Sequence, residues 1–440
     1  MTETPPETSI EKKHDPYEAW RYAPFRKFAA ASAMVQIGAG AQMTAIGYEV
    51  YDRTGSSLSV GWTAAMLALP MLFLTIPAGV LADKLDRKNL IFLSMVGTTV
   101  TSFALAVTSY LHGPVWAMYL LLLVDATSLT LGRPARTAFQ TQLVPRKTFE
   151  NAMKWRSSLF QISAVAGPAA GGLIFAIWRP AAYLFAASTS ISFMIALTII
   201  HARPYTASSQ RPSLSSALEG AKFVFHHKML LAALSLDMFA VLLGGAVYLM
   251  PIFAKDILYV GEIGHGILRA APAVGALCMG IFLAYRPPMK HSGRNMLVAV
   301  AGFGVATIVF GLSRNVYLSW AMLFATGALD NISVVVRHTL VQMITPDHMR
   351  GRVSAANTIF IGSSNELGGV ESSVVARLFN PTISVVSGGI GTILVVSVTA
   401  LASKSLRRVG VLSETAEQAL GTTLDEADEA AEAAQTEAAK

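Results

Sequence analysis

Residues 79–88, GVLADKLDRK, separate two long apolar runs at residues 58–82 and 89–111. Each run exceeds the ~20 apolar residues that an α-helix needs to cross the hydrocarbon core of a membrane. The stretch between them carries two acidic and three basic residues, which belong at a membrane surface and not within it. The sequence here therefore predicts two membrane-spanning helices joined by a short charged turn.

The rest of the chain repeats this pattern. Of its 440 residues 53% are hydrophobic and only 14% are charged, whereas soluble globular domains carry about 25% charged residues. This composition excludes a soluble enzyme, a disulfide scaffold and a disordered chain. Because backbone groups in lipid must be satisfied within the segment, each apolar run is expected to be a helix. The predicted spans are residues 27–50, 58–82, 89–111, 115–137, 156–178, 181–200, 229–253, 264–284, 295–313, 317–341, 353–377 and 382–403.

Basic residues orient the chain. They cluster before the first span and in every second connection after it, and the alternate connections contain few. Basic residues favour the cytoplasmic side of a membrane, so both termini are expected to be cytoplasmic. The net charge of +7 indicates this membrane asymmetry and not a nucleic-acid partner. Eight of the acidic residues lie in the last 28 positions.

A long polar connection divides the predicted spans six and six. A weak repeat supports two similar halves, because Arg136 precedes Pro145 by nine residues and Arg337 precedes Pro346 by nine. The predicted division is a cytoplasmic N-terminal tail at 1–24, a six-helix half at 25–200, a cytoplasmic linker at 201–228, a second six-helix half at 229–405 and an acidic cytoplasmic tail at 406–440.

The turn at residues 79–88 resembles the signature of the Major Facilitator Superfamily, with Asp86 where a glycine is more usual. The resemblance implies an all-α membrane protein of twelve transmembrane helices in two pseudo-symmetric six-helix halves. It also implies that Asp83 and Arg87 help to latch the cytoplasmic side during alternating access. Gly79 is expected to let two helices approach closely, and Asp83 to lie near the N-terminus of the next helix. The candidate gate residues are Gly79, Asp83, Asp86, Arg87 and Lys88.

A second motif, GPAAGG at residues 167–172, lies within the fifth predicted span. Its glycines and proline favour tight helix packing and a bend. The string is also similar to the motif of the superfamily's antiporters, which favours export. The residues concerned are Gly167, Pro168, Gly171 and Gly172.

Three further stretches, at residues 48–56, 133–136 and 363–368, resemble the branch of the superfamily that includes the bacterial enterobactin exporter and related drug efflux proteins. The resemblance implies a multi-pass protein of the bacterial inner (cytoplasmic) membrane, in which a monomer is sufficient. It does not identify the cargo, because relatives in this branch export chemically different compounds.

Charged residues at membrane depth are costly, and each is a candidate functional residue. A carboxylate that gains and loses a proton as its access to water changes can couple transport to a proton gradient. We expect this role first for Asp237 and Glu366, then for Glu49 and Glu371. Pairing between helices is the structural alternative. It is expected where an acid precedes an arginine by about two turns, among Asp125, Arg133, Arg136, Asp330 and Arg337.

The sequence contains no nucleotide-binding P-loop and no Cys/His cluster with metal-ligand spacing, so neither a cofactor nor an ATP site is expected. The predicted function is that of a secondary transporter that exports an amphipathic small molecule, drug-like or siderophore, in exchange for protons, with the lipid bilayer as its surroundings. Two alternatives remain: an importer or uniporter of a nutrient or ion on the same fold, and a membrane receptor or assembly protein that does not transport.

Overall fold

The computed structural model describes residues 15–200, 219, 222–244, 246–287, 289–346, 349–407 and 409–410. Most of the predicted cytoplasmic linker and of the acidic C-terminal tail, and the first 14 residues of the N-terminal tail, lie outside these ranges.

The described residues form helices and no strand. They are α1 (Ala23–Thr54), α2 (Ser57–Lys84), α3 (Arg87–Tyr110), α4 (Val115–Gln140), α5 (Phe149–Ile177), α6 (Arg179–Ile199), α7 (Lys228–Leu243), α8 (Ala246–Ile252), α9 (Gly261–Ala284), α10 (Ser292–Leu312), α11 (Val316–Ile344), α12 (Arg350–Leu378), α13 (Pro381–Ala402) and α14 (Lys404–Arg407). Two 3-10 helices occupy Glu18–Arg21 and Arg146–Thr148, and a π-helix at Phe253–Ile257 continues α8.

In the part of the chain that the structure describes, ten helical segments are long and apolar enough to cross a membrane. Helices α1, with 32 residues, and α12, with 29, are equally long but more polar, and they bring the number of long segments to twelve. The predicted all-α membrane fold with twelve spans is therefore confirmed.

The seventh span differs from the uninterrupted helix that was predicted. Helix α7 ends at Leu243, just before Gly244, and the helix resumes as α8, which contains Pro251 and passes into the π-helix. A Cβ on Gly244 would lie 2.8 Å from the ring of Phe303, so the chain approaches α10 closely at this point. Hydropathy does not detect the interruption because the residues on both sides are apolar.

The helices pack in two groups. In the N-terminal half, α1 packs against α5 and α6, and α4 packs against α2 and α3. In the C-terminal half, α11 packs against α9 and α10, and α7 packs against α12 and α13. The halves meet chiefly where α2 contacts α12 and α5 contacts α9, with smaller contacts between α1 and α8.

The two ends of the bundle are packed differently. We call the end with the turns at 55–56, 111–114 and 258–260 the short-loop end, and the opposite one, where α1 begins and α13 ends, the tail end. One core at the short-loop end includes Tyr48 and Val50 of the N-terminal half and Met250 and Phe253 of the C-terminal half. Toward the tail end the buried clusters belong to one half or the other. The halves therefore share a buried core at the short-loop end, whereas toward the tail end each half has its own core, and we call the boundary between the halves on that side the cleft.

Candidate functional site

An ionic cluster closes the short-loop end. Asp52, near the end of α1, accepts a bond from Arg179 at 2.8 Å and one from Lys255 at 2.5 Å. Tyr51 donates its hydroxyl to Asp256. Lys255 and Asp256 belong to the C-terminal half, so each half supplies a carboxylate to the other. We call Tyr51, Asp52, Arg179, Lys255 and Asp256 the clasp.

The π-helix explains how the side chains of two adjacent residues, Lys255 and Asp256, both take part in the clasp. A π-turn adds a residue to the helical turn and changes the direction of the side chains after it. Lys255 and Asp256 both lie in this segment, and Phe253 beside them packs in the core with a ring 4.7 Å from that of Phe310. The break in the seventh span and the clasp therefore belong to the same local distortion.

The GPAAGG motif lies at the contact between halves. A Cβ on Gly171 would lie 2.7 Å from the backbone of Ala41 in α1, and a Cβ on Gly172 would lie 2.8 Å from the Cα of Gly266 in α9. Gly167 similarly approaches Gly40, at 3.1 Å or less. Helix α5 is thus held between one helix of its own half and one of the other half. The tight packing expected at this motif is present, with Pro168 inside the helix.

The signature turn at residues 79–88 differs from expectation in two respects. Helix α2 continues to Lys84, so Asp83 lies in its last turn and Asp86 caps α3, accepting from the Asn89 N–H at 2.8 Å. The anion at the helix N-terminus is therefore Asp86, not Asp83. A Cβ on Gly79 would meet no atom within 4 Å, so no close helix contact depends on this glycine here. Lys88 donates to the carbonyl of Ile200 at 3.0 Å.

Glu49 lies in a hydrogen-bonded network within the N-terminal half. Its carboxylate is 0% exposed, forms an ion pair with Arg53, and accepts from Ser109 at 2.8 Å and from Tyr183 at 2.7 Å. Arg53 also donates to the carbonyls of Gly113 and Ser109. The network joins α1, α3 and α6 near the short-loop end.

Asp125 is the second buried carboxylate of this half. It accepts from Gln42 at 3.0 Å and from Thr101 at 3.2 Å, and it interacts electrostatically with Arg136. Of the two arginines expected to pair with an acid in this half, Arg136 is the one that interacts electrostatically with Asp125, whose hydrogen bonds come from Gln42 and Thr101. Arg133 is exposed and interacts with Glu366 of the other half instead.

The pairing in the C-terminal half also differs from expectation. Arg337 forms its ion pair with Asp237 of α7, and the two side chains are 3% and 4% exposed. The expected pair with Asp330 is therefore wrong. Asp237 has no cation nearby in the sequence, because its partner Arg337 lies 100 positions away on another helix.

Asp330 faces a cavity of about 170 Å³ inside the C-terminal half. The cavity is bounded by α7, α8, α9, α10, α11 and α12, and its polar lining includes Asp330, Tyr248, Thr326, Thr307 and Asn365. Aliphatic side chains and the rings of Phe303 and Phe310 form the rest of the wall.

Glu366 lies between the halves. Tyr248 of α8 donates its hydroxyl to the Glu366 carboxylate. Arg269 of α9 and Arg133 of α4 interact electrostatically with the same carboxylate. Glu366 therefore responds to charges from both halves. Glu371, one and a half turns further along α12, is partly buried and accepts only from the neighbouring Ser372, at 3.2 Å, within the described residues.

Arg269 was not among the predicted site residues, although an arginine within an apolar span is a candidate functional residue because a charge at membrane depth is costly. His265, one turn earlier on α9, was not among them either. That side chain is 1% exposed, and its ring centroid lies 5.5 Å from that of Tyr48 in the other half. The residues of the clasp were missed because each looks like an ordinary helix-end residue in the sequence.

Comparisons with known proteins agree with this architecture. Residues 15–427 match the model of the transmembrane secretion effector family. The enterobactin exporters of Shigella flexneri and Citrobacter koseri are each 26% identical to the chain, over 395 and 396 residues, and each match covers 87% of this chain and 92% of the relative.

Solved structures show the same fold at low identity. A bacterial homologue of the human lysosomal transporter Spinster has a TM-score of 0.71 and 13% identity, covering 89% of this chain and 98% of its own. A D-xylose–proton symporter has a TM-score of 0.64 and 12% identity, covering 86% and 97%. The family match, the relatives and the fold are those of a small-molecule transporter and not of an enzyme. The chain therefore belongs to the transmembrane secretion effector family of Major Facilitator Superfamily transporters and is a multi-pass membrane protein.

Proposed function

We propose that the protein exports an amphipathic small molecule, drug-like or siderophore, across the bacterial inner membrane in exchange for protons. Both termini lie in the cytoplasm, and a monomer is the transporting unit. The enterobactin exporters among its relatives and the GPAAGG motif support export. In this orientation the cleft faces the cytoplasm, from which cargo would enter, and the clasp closes the external side.

The observation that carries the coupling proposal is the position of Glu366. Tyr248 of the C-terminal half donates to its carboxylate, and Arg269 of the C-terminal half and Arg133 of the N-terminal half both interact with it electrostatically. Protonation of Glu366 removes its attraction to Arg133 and so weakens an interaction between the halves. A change in proton occupancy thereby alters the relative free energy of two arrangements of the halves, which is what coupling requires.

Asp237, Glu49 and Glu371 remain proposed coupling residues of lower rank. The first two have ion pairs within a single half, with Arg337 and Arg53. Their protonation would act first on the packing of that half. Among the described residues Glu371 has no charged partner, so its protonation would affect the arrangement of the halves less.

The gate residues fit the same cycle. In the present arrangement a Cβ on Gly79 would meet no atom within 4 Å. When the halves close at the tail end, the turn containing Gly79, Asp83 and Arg87 would meet the opposite half. A glycine would then permit close approach, as the superfamily resemblance implies.

The experiment is flux in proteoliposomes with an imposed pH gradient. The wild type should accumulate an amphipathic efflux substrate or a siderophore against its concentration gradient, in the direction opposite to proton flow. Glu366→Gln should abolish accumulation but retain exchange of cargo at equal pH. Glu150→Gln, the same change of charge on the exposed surface of α5, serves as control. Accumulation in the direction of proton flow would indicate an importer, and binding without flux would indicate a receptor.

A further inference from the structure

The cavity inside the C-terminal half contains a carboxylate without a described cation. The arginine expected to pair with Asp330 is taken by Asp237, and among the described residues no side chain forms a hydrogen bond or an ion pair with Asp330. Tyr248 is the other titratable residue in the cavity lining. A carboxylate at membrane depth without a paired cation is costly, so it is retained where a proton or a ligand cation neutralises it.

The size and lining of the cavity distinguish these two occupants. A cavity of about 150 Å³ is large enough to hold a benzene ring, and this one measures about 170 Å³. Its wall is largely apolar and includes the rings of Phe303 and Phe310. Binding of a proton alone does not require a cavity of this volume or an apolar lining. Aromatic faces together with a carboxylate favour an organic cation.

The cavity is adjacent to the cleft. Tyr248 belongs to its lining and donates to Glu366, which lies between the halves. Asn365 also lines the cavity and is exposed. A ligand moving through the cleft would therefore meet the mouth of the cavity beside Glu366.

We propose that this cavity is a subsite for an arylalkylammonium group, with the ammonium at Asp330 and the aryl ring against Phe303 and Phe310. The inference rests on the proposed function, because the group would belong to cargo that reaches the cavity through the cleft. Asp330 is then a specificity residue and distinct from Glu366, which is proposed to respond to protons.

Equilibrium binding to the purified full-length protein in nanodiscs tests this subsite. The probes are phenethylamine, which is a cation at neutral pH, and 2-phenylethanol, a neutral molecule of nearly the same shape. The wild type should bind the amine more tightly than the alcohol. Asp330→Asn should weaken binding of the amine about tenfold or more, since it removes a charge-assisted hydrogen bond, and should leave binding of the alcohol unchanged.

Two further variants keep the result interpretable. Asp15→Asn, at the N-terminal segment outside the cleft, should change neither affinity. Val247→Phe, which enlarges a residue of the cavity lining, should weaken both probes while Asp330 remains. Equal affinity for the amine in wild type and Asp330→Asn would overturn the subsite, as would loss of both probes in Asp330→Asn alone with Val247→Phe unaffected. A wild-type protein that binds the amine as expected but shows no flux driven by a pH gradient would instead count against the proposed function.

Discussion

Lys255 of the C-terminal half lies 2.5 Å from Asp52 of the N-terminal half, and this ion pair crosses the boundary between the halves at the short-loop end. Arg179 holds the other oxygen of Asp52 at 2.8 Å from within the N-terminal half. Asp52 is therefore held in position by Arg179 of its own half, and its other oxygen binds Lys255 of the opposite half. The clasp is consequently a contact that can open without disrupting either bundle.

The first prediction concerns this pair. Lys255→Met should favour opening at the short-loop end. Because Asp52 is 21% and Lys255 35% exposed, the pair is worth about 1 kcal/mol or less, which corresponds to at most about a fivefold change in population. A cysteine in place of the buried Ala64, in a Cys278→Ser background that lacks the chain's single native cysteine, should react correspondingly faster with an impermeant maleimide. Asp52→Asn added to Lys255→Met should give little further acceleration. Additive effects would show that the two residues do not act as a pair.

The second prediction concerns the close contact of α5 with α9. Gly172→Ala places a Cβ 2.8 Å from the Cα of Gly266, so the two helices must separate. Overpacking of this kind costs about 1–3 kcal/mol, and the melting temperature of the purified protein should fall. Gly79→Ala is the matched control, because a Cβ there meets no atom within 4 Å. Equal destabilisation by both variants would mean that the α5–α9 contact is not as close as described.

The third prediction separates the two possible partners of Arg337. Asp237→Asn leaves the buried guanidinium without its carboxylate, and breaking a buried ion pair on one side costs about 3–5 kcal/mol. Asp330→Asn should cost much less, because Asp330 is not its partner. Thermal unfolding of the two variants measures the difference. A double variant, Asp237→Asn with Arg337→Met, should recover part of the lost stability. A larger loss from Asp330→Asn than from Asp237→Asn would restore the pairing expected from sequence spacing.

The fourth prediction concerns Tyr248. Tyr248→Phe removes the hydroxyl that donates to Glu366 and keeps the ring. The charges of Arg269 and Arg133 remain, so coupling should persist but the pH at which flux is half-maximal should shift. Flux measured at a series of pH values, with Tyr119→Phe as the control on α4, checks this. An identical pH profile in wild type and Tyr248→Phe would remove Tyr248 from the coupling group.

The sequence was sufficient for the fold because membrane spans are a local property. The apolar runs, the charged turn at residues 79–88 and the GPAAGG motif each depend on a single stretch of chain, and the helices follow them closely. Where prediction failed, the information was not local. Arg337 lies seven residues after Asp330 but forms its ion pair with Asp237 on α7, because the packing of the helices determines which charged side chains come together.

The seventh span shows a second reason why part of the structure could not be predicted from the sequence. A hydropathy pattern reports that residues 229–257 are apolar and does not report that the helix breaks at Gly244. The pair Gly244-Gly245 followed by Pro251 was the available signal. That break and the π-helix after it determine where Lys255 and Asp256 lie, so the clasp was missed together with them.

Distances between spin labels across the halves test the central claim most directly. One pair of labels replaces the exposed residues Leu111 and Tyr317 at the short-loop end, and a second pair replaces Leu85 and Tyr285 at the tail end. In the Cys278→Ser background, pulsed electron paramagnetic resonance should report a short distance for the first pair of labels and a long distance for the second pair. Glu366→Gln, which mimics the protonated carboxylate, should lengthen the first distance and shorten the second in the same fraction of molecules. If the two distances stay fixed or change in the same direction, they would contradict the claim that Glu366 controls a cleft that is open at only one end at a time.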